Sequence, residues 1–119
     1  MLEIEKIKPE FEFKNHAGKI IQLVHDDWKQ VNVLLSNKGE VRGGHYHKIN
    51  KEAFYVISGK VRVKIEKEGE LCEQIFTEGQ MFMFLPFQVH DMFFLENTVM
   101  VQLYSHGVEY GDGKKDIYS

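Results

Sequence analysis

Polar and apolar residues alternate along several short stretches of this chain, which is the pattern of strands that bury one face. The alternation is strictest at residues 60–66, where three apolar side chains are predicted to face a core: Val61, Val63 and Ile65. Strand composition also marks residues 4–13, 19–24, 28–35, 53–57, 72–76 and 99–105. No stretch shows the period of an amphipathic helix, so an antiparallel sandwich or barrel is predicted.

Turn residues separate these stretches. Polar residues and glycines cluster at residues 15–18, 25–27, 36–39, 68–70 and 77–79. Pro9 interrupts the first stretch, and because proline cannot donate to a strand ladder we expect this stretch at a sheet edge or a bend. Residues 86–88 are predicted to form a short bend that leads to His90, and residues 107–119 a tail or docking arm.

One stretch is apolar on both strand faces. Residues 80–85 are predicted to need cover twice, from the barrel interior on one side and from a second sheet or another subunit on the other. We expect aromatic and methionine side chains to line the barrel interior and exclude bulk water, namely Phe54, Phe82, Met83 and Phe84.

Length and composition limit the classes of function. The chain has 119 residues, 43% of them hydrophobic, which predicts a single domain, residues 1–119. The formal net charge of -3 argues against a nucleic-acid or anionic-membrane partner. Cys72 is the only cysteine, which excludes an internal disulfide and suggests a reducing compartment. The charged first residues do not resemble a signal peptide, so the protein is expected to be cytoplasmic.

The candidate chemistry begins at two histidines. His45 and His47 are two residues apart, so in an extended strand their side chains point to the same face. Tyr46 points the other way and is predicted to pack between sheets. Residues 48–51 are predicted to reverse the chain into a hairpin, which turns Glu52 back toward the imidazoles. Two imidazoles and a carboxylate on one side of a sheet favour a divalent metal site.

The spacing of these residues resembles the first motif of the cupin superfamily, with its fixed positions on Gly39, His45, His47, Glu52 and Gly59. Two positions of the second cupin motif match Gly79 and His90, whereas its proline, glycine and asparagine fall on Leu85, Phe87 and Phe94. The resemblance implies an all-β fold, the cupin double-stranded β-helix or jelly-roll barrel. It also implies four metal ligands: His45, His47, Glu52 and His90.

Three imidazoles and a carboxylate suit a divalent transition metal, that is Mn, Fe, Co, Ni, Cu or Zn, and do not suit Ca or Mg, which prefer oxygen ligands. An octahedral ion with four protein ligands keeps about two positions open. Those positions can take two oxygens of a small chelating substrate, or water, or dioxygen.

A second resemblance covers residues 28–46. This run is similar to the corresponding part of nucleotide-sugar epimerases and ketoisomerases of the dehydrorhamnose epimerase group, which are also cupins. The resemblance implies that His45 is the base that removes a proton beside a ketone and that Arg42 lies near it. Tyr104 is the candidate for the catalytic tyrosine of those enzymes. The chain departs from them because His47 and Glu52 complete a metal set that those epimerases lack.

The two resemblances compete for His45, because a ring nitrogen that binds a metal cannot also accept a substrate proton. The leading hypothesis is a metal-binding isomerase or epimerase of a sugar or keto acid, with Arg42 anchoring an anionic group. The alternatives are an iron(II)-dependent dioxygenase and a sugar-binding module without catalysis. Cupins commonly pair through their amino-terminal strands, so a homodimer is expected.

Overall fold

The computed structural model describes all 119 residues and is built from eleven β-strands without any helix. No helix is therefore available to cross a membrane. The strands are β1 (Glu5–Ile7), β2 (Phe11–Asn15), β3 (Gly18–Gln22), β4 (Gln30–Ser36), β5 (Val41–His45), β6 (Glu52–Ser58), β7 (Lys60–Lys67), β8 (Glu70–Thr77), β9 (Met81–Phe84), β10 (Val89–Phe94) and β11 (Thr98–Tyr104).

The strands form two facing sheets and a separate ribbon, and every pairing is antiparallel as predicted. One sheet has the order β1-β9-β6-β11-β4 and the other has the order β5-β10-β7-β8. Strands β2 and β3 pair only with each other. Pro9 lies in the break between β1 and β2, and β1 is an edge strand, which agrees with the restriction that proline imposes.

The core between the sheets is rich in aromatic rings. Phe82 stacks on Phe54 and on Phe76, with ring centroids 5.2 Å and 4.3 Å apart. Val61, Val63 and Ile65 face the same core and are fully buried, so the prediction from their alternation is confirmed. The core fills one part of the space between the sheets and leaves the other part to polar side chains.

The outer face of β9 is covered by the chain itself. Met81 and Met83 lie there, against a cluster that includes residues from the segment between β3 and β4: Leu23, Val24 and Trp28. The barrel interior covers one face of residues 80–85, as predicted, and this segment of the same chain covers the other face, where the sequence predicted a second sheet or another subunit. The prediction that Met83 lines the interior is wrong, because successive strand residues alternate faces and Phe82 and Phe84 occupy the inner one.

The predicted hairpin at residues 48–51 is also wrong. Strand β5 pairs with β10, whereas β6 pairs with β9 and β11 in the other sheet. The connection after β5 therefore crosses from one sheet to the other. Polar composition predicts that a chain turns but not which strand it pairs with next.

The predicted bend before His90 is present at residues 86–88, but the sequence did not predict strand β10, which carries His90 at an inner position of its sheet between β5 and β7. Of the two alternatives for residues 107–119, a tail or a docking arm, the structure shows the second. These residues dock on their own barrel, where Tyr118 forms a β-bridge with Tyr46. Tyr46 stacks on Phe87 and Tyr118, so its ring packs against the bend and the docked segment, and the expected packing between sheets is wrong.

Candidate metal centre

Four side chains from both sheets meet at one end of the barrel. His45 ends β5, His90 lies opposite it on β10, Glu52 begins β6, and His47 lies on the connection between β5 and β6. One nitrogen or oxygen from each of them lies within 4.8 Å of all the others. His47, Glu52 and His90 are at most 2% exposed, whereas His45 is partly exposed. The structure thus brings together the four residues that the cupin motifs single out.

A glycine sets the spacing between the two strands that carry His45 and His90. Gly43 has φ +131°, and a Cβ atom at this position would lie 2.3 Å from the carbonyl oxygen of His90. No side chain larger than hydrogen fits that gap. The close approach places the rings of His45 and His90 with centroids 4.7 Å apart.

Backbone carbonyl groups fix the protonation of two imidazoles. Nδ1 of His47 lies 2.5 Å from the carbonyl oxygen of Asp116, and Nδ1 of His90 lies 3.2 Å from that of Gln88. A carbonyl oxygen only accepts hydrogen bonds, so each Nδ1 carries the proton. In the neutral ring the lone pair is then on Nε2.

Both Nε2 atoms face the same carboxylate oxygen. Oε1 of Glu52 lies 2.9 Å from Nε2 of His47 and 3.2 Å from Nε2 of His90. The second contact is close but lacks hydrogen-bond geometry, so the buried Nε2 of His90 has no hydrogen-bond partner. A buried unpaired nitrogen is costly, and a neutral imidazole facing a carboxylate needs either a second proton or a cation. The donor set therefore fits a divalent transition metal.

The other carboxylate oxygen is held by neighbouring strands. Nε2 of Gln102 donates to Oε2 of Glu52 over 2.5 Å, and Nδ2 of Asn32 donates to Oε1 of Gln102 over 2.9 Å. This chain of hydrogen bonds runs from β4 through β11 to β6. It orients the carboxylate so that Oε1 points at the imidazoles, as the outer contacts of metal ligands commonly do.

Burial and the neighbouring charged groups shift the pKa values of three residues in the cluster. Burial lowers the pKa of His45, and the neighbouring His90 lowers it further, so this ring is neutral at neutral pH. Burial also acts to lower the pKa of His47, but Glu52 outweighs it and the pKa is raised. Burial acts to raise the pKa of Glu52, but His47 and His90 hold it far below its usual range. The carboxylate is thus ionised and available as a ligand.

Sequence comparison assigns the chain to a family. The family model for the polysaccharide biosynthesis C-terminal domain matches residues 14–118. The chain belongs to this family. No curated protein matches it.

Solved structures of this fold include enzymes of sugar metabolism. The sugar 3,4-ketoisomerase QdtA from Thermoanaerobacterium thermosaccharolyticum, in complex with TDP, is 19% identical and has a TM-score of 0.76, over 96% of this chain and 85% of that chain. The dTDP-4-dehydrorhamnose 3,5-epimerase from Sulfolobus tokodaii is 22% identical with a TM-score of 0.73, over 92% and 77%.

The capsular polysaccharide assembling protein CapF from Staphylococcus aureus is 19% identical with a TM-score of 0.67, over 91% of this chain but only 33% of that chain. These likenesses confirm the predicted all-β cupin jelly roll.

Tyr104 and Arg42 are the remaining candidates for the catalytic residues, and the first is buried whereas the second is exposed. The buried ring of Tyr104 meets that of His47 with centroids 5.4 Å apart. Burial and the charge of Glu52 raise the pKa of Tyr104, so it is a neutral phenol. Arg42 is exposed and donates to the Ser36 hydroxyl (2.9 Å) and the Leu35 carbonyl (3.3 Å) on β4. Its polar contacts thus tie two sheet edges together.

Two residues that support the cluster carry no signal in the sequence. Gln102 occupies an ordinary inward position of a strand, and only the pairing of β11 with β6 brings it to Glu52. Asp116 lies in the stretch expected to be a tail or docking arm. Its contact with His47 spans 69 residues of sequence, and no local pattern encodes a contact of that kind.

Proposed function

We propose that the chain is a metal-binding isomerase or epimerase that acts on a nucleotide-linked keto sugar. The observation that carries the proposal is the unpartnered Nε2 of His90 beside Oε1 of Glu52. A cation between these atoms would give the nitrogen lone pair a partner and would neutralise the charge of the carboxylate. His45, His47, Glu52 and His90 would hold the ion. Bound there, a divalent ion would polarise a substrate carbonyl and make the neighbouring proton easier to remove.

The residues around the cluster define where substrate can enter. The ring of Phe84 stacks on that of His90, with centroids 4.2 Å and planes 11° apart, and closes the core side to water. His45 is the one partly exposed ligand, so the accessible side of the site is its side. A substrate carbonyl would approach past this ring.

Proton transfer needs a group outside the ligand set, because His45 cannot bind an ion and act as a base with the same nitrogen. Tyr104, whose ring meets that of His47, is a candidate for the acid of the reaction and not for this base. Its raised pKa makes it a donor rather than a resting base, and it would supply a proton or hydrogen bond to a substrate oxygen.

The substrate class is supported by the solved structures and by the family. A mutant of the ketoisomerase QdtA is solved in complex with TDP-4-keto-6-deoxyglucose, at 21% identity and a TM-score of 0.75. The family of this chain is described by polysaccharide biosynthesis. These two findings favour a nucleotide-linked 4-keto sugar over a free keto acid.

The test follows proton exchange rather than one assumed product. Both isomerisation and epimerisation remove a proton beside a carbonyl, so the loaded protein in D₂O should put deuterium at that carbon of TDP-4-keto-6-deoxyglucose, visible by NMR. We expect about one divalent transition-metal ion per chain in protein purified without an affinity tag. Glu52→Gln should lose both metal and exchange, whereas the exposed-site control His106→Gln keeps both.

The outcomes separate the competing functions. Binding of the sugar nucleotide without exchange would identify a binding module, and turnover that requires dioxygen would identify an oxygenase. Wild-type levels of exchange in metal-free protein would contradict the metal-dependent reaction and restore His45 as a free base.

We also propose that the chain forms a homodimer. The outer face of β4 presents Val31, Val33 and Leu35, which are 62%, 62% and 71% exposed. Through β11, this face continues the apolar outer face of β6 and β9, which the chain covers itself. An apolar face half covered and half open suits a second copy of the same chain.

A further inference from the structure

The C-terminal segment, residues 107–119, carries a buried carboxylate that has no cationic partner. Asp116 is 0% exposed and forms no ion pair within the chain. Four N–H groups satisfy it instead: the backbone of Lys48, Ile49 and Asn50, and Nδ2 of Asn50, at 2.9–3.1 Å. These donors hold the pKa of Asp116 below its usual value although burial acts to raise it.

The donors belong to the residues that directly follow His47. The side chain of Asp116 therefore fixes the backbone on the C-terminal side of this histidine. A second contact holds the same peptide unit, because the backbone N–H of Phe87 donates to the carbonyl of His47 over 2.7 Å. His47 itself lies outside any strand ladder, so these contacts replace the sheet in holding its backbone.

Asp116 also reaches the ring of His47 through its own main chain. Its carbonyl oxygen accepts from Nδ1 over 2.5 Å, which leaves Nε2 to face Glu52. The main chain of Asp116 is fixed in turn, since its N–H donates to the Val108 carbonyl over 2.7 Å and the next bridge joins Tyr118 to Tyr46. The carboxylate of Asp116 alone would be enough to fix the loop at residues 48–50. The contact from its main-chain carbonyl does something further, because it determines which ring nitrogen of His47 carries the proton.

We propose that Asp116 is a positioning residue for His47, which holds the imidazole in its Nδ1-protonated form and aims Nε2 at the cation site. The inference rests on the proposed metal site and makes the C-terminal segment part of that site. Without the contacts from Asp116, the imidazole of His47 would be free to rotate and to change tautomer. Metal affinity would then fall even though all four ligands remain.

The first experiment uses the wild-type protein, metal-free and zinc-loaded. Long-range ¹H–¹⁵N NMR correlations of the histidine rings report which nitrogen carries the proton. We expect His47 to be protonated at Nδ1 in both states, with zinc on Nε2. Absence of a proton from Nδ1 in either state, or a rapid mixture of tautomers, would overturn the proposal.

The second experiment compares Asp116→Asn with Asp112→Asn. The first change places an amide NH₂ among four N–H donors, whereas Asp112 is exposed and accepts only from the Lys114 N–H. By competition with a chelator, zinc affinity should fall about 10- to 100-fold in Asp116→Asn, with mixed His47 tautomers, and stay unchanged in the control. A folded Asp116→Asn protein with wild-type zinc affinity and tautomer would refute the role.

A milder variant covers the case in which Asp116→Asn does not fold. Tyr118→Ala removes the ring that stacks on Tyr46 and loosens the segment without touching the carboxylate. Zinc affinity should fall by a smaller factor, and an unchanged affinity would count against positioning by the segment. None of these measurements uses turnover, so a protein that binds zinc as expected but exchanges no substrate proton would defeat only the proposed reaction.

Discussion

Gly43 shows how much one residue decides at this site. Its missing side chain lets β5 approach β10 closely enough to place His45 beside His90.

Phe87 is a bulky residue in a backbone conformation that favours glycine. It adopts φ 69° at the position where the second cupin motif has glycine. A bulky residue in this conformation is strained, and its backbone contact with His47 gives the bend a role in the site.

Gly43→Ala should destabilise the protein and disturb the cluster. The new Cβ would clash with the backbone of His90 and Asp91, and this backbone cannot move without shifting β10. Overpacking of this kind costs about 1–3 kcal/mol, measurable by urea unfolding. Gly18→Ala is the matched control, since Gly18 has nearly the same φ, +132°, and nothing lies within 4 Å of its added Cβ. Equal stability of the two variants would show that β5 can move away from β10 freely.

At the level of elements, the cluster joins the two sheets. β5 and β10 belong to one sheet and β6 to the other, so the four ligands come from both sheets and from the connection between β5 and β6. Glu52 is locked to β11 and β4 by Gln102 and Asn32. A cation at this point would link the sheets directly.

Metal removal should therefore lower the thermal stability of the whole barrel. An ion held at a hundredfold excess over its Kd adds about 2.7 kcal/mol, which for a chain of this size is a change in Tm on the order of 10 °C. Calorimetry before and after chelation measures it, and added zinc should restore the Tm. His90→Asn should have the lower Tm already and respond little to chelator. An identical Tm with and without metal in the wild type would contradict a link between the sheets.

At the level of the whole molecule, the apolar faces are unequally covered. The inner faces of both sheets are filled, and the chain covers the outer face of β9 with its own segment. The outer face of β4 stays open, and the β2–β3 ribbon pairs with neither sheet. The open face of β4 is the surface on which the proposed homodimer rests.

Val33→Glu should produce a monomer. The charge would lie at the centre of the open face of β4, where a partner would have to bury it at high cost. Multi-angle light scattering at micromolar concentration gives the mass directly. Ile75→Glu is the control, because Ile75 is 48% exposed on β8 and is predicted to leave the dimer intact. A wild-type monomer would refute the dimer itself.

Local pattern was enough for several features of this protein. The alternation of residues 60–66, the turn residues between strands and the absence of helical periodicity predicted an all-β fold, because side-chain direction along a strand depends only on parity. The spacing of His45, His47 and Glu52, together with His90, predicted which side chains would meet. Their resemblance to cupin motifs carried that information, since such spacing is set by a shared sheet geometry.

Other features were decided only by the tertiary structure. Strand pairing placed β5 and β6 in different sheets, put Met83 outside and brought Gln102 to Glu52. Docking of the C-terminal segment brought Asp116 to His47 across 69 residues. These contacts join residues far apart in the chain, and their free energy depends on burial and partners that exist only once the barrel has closed.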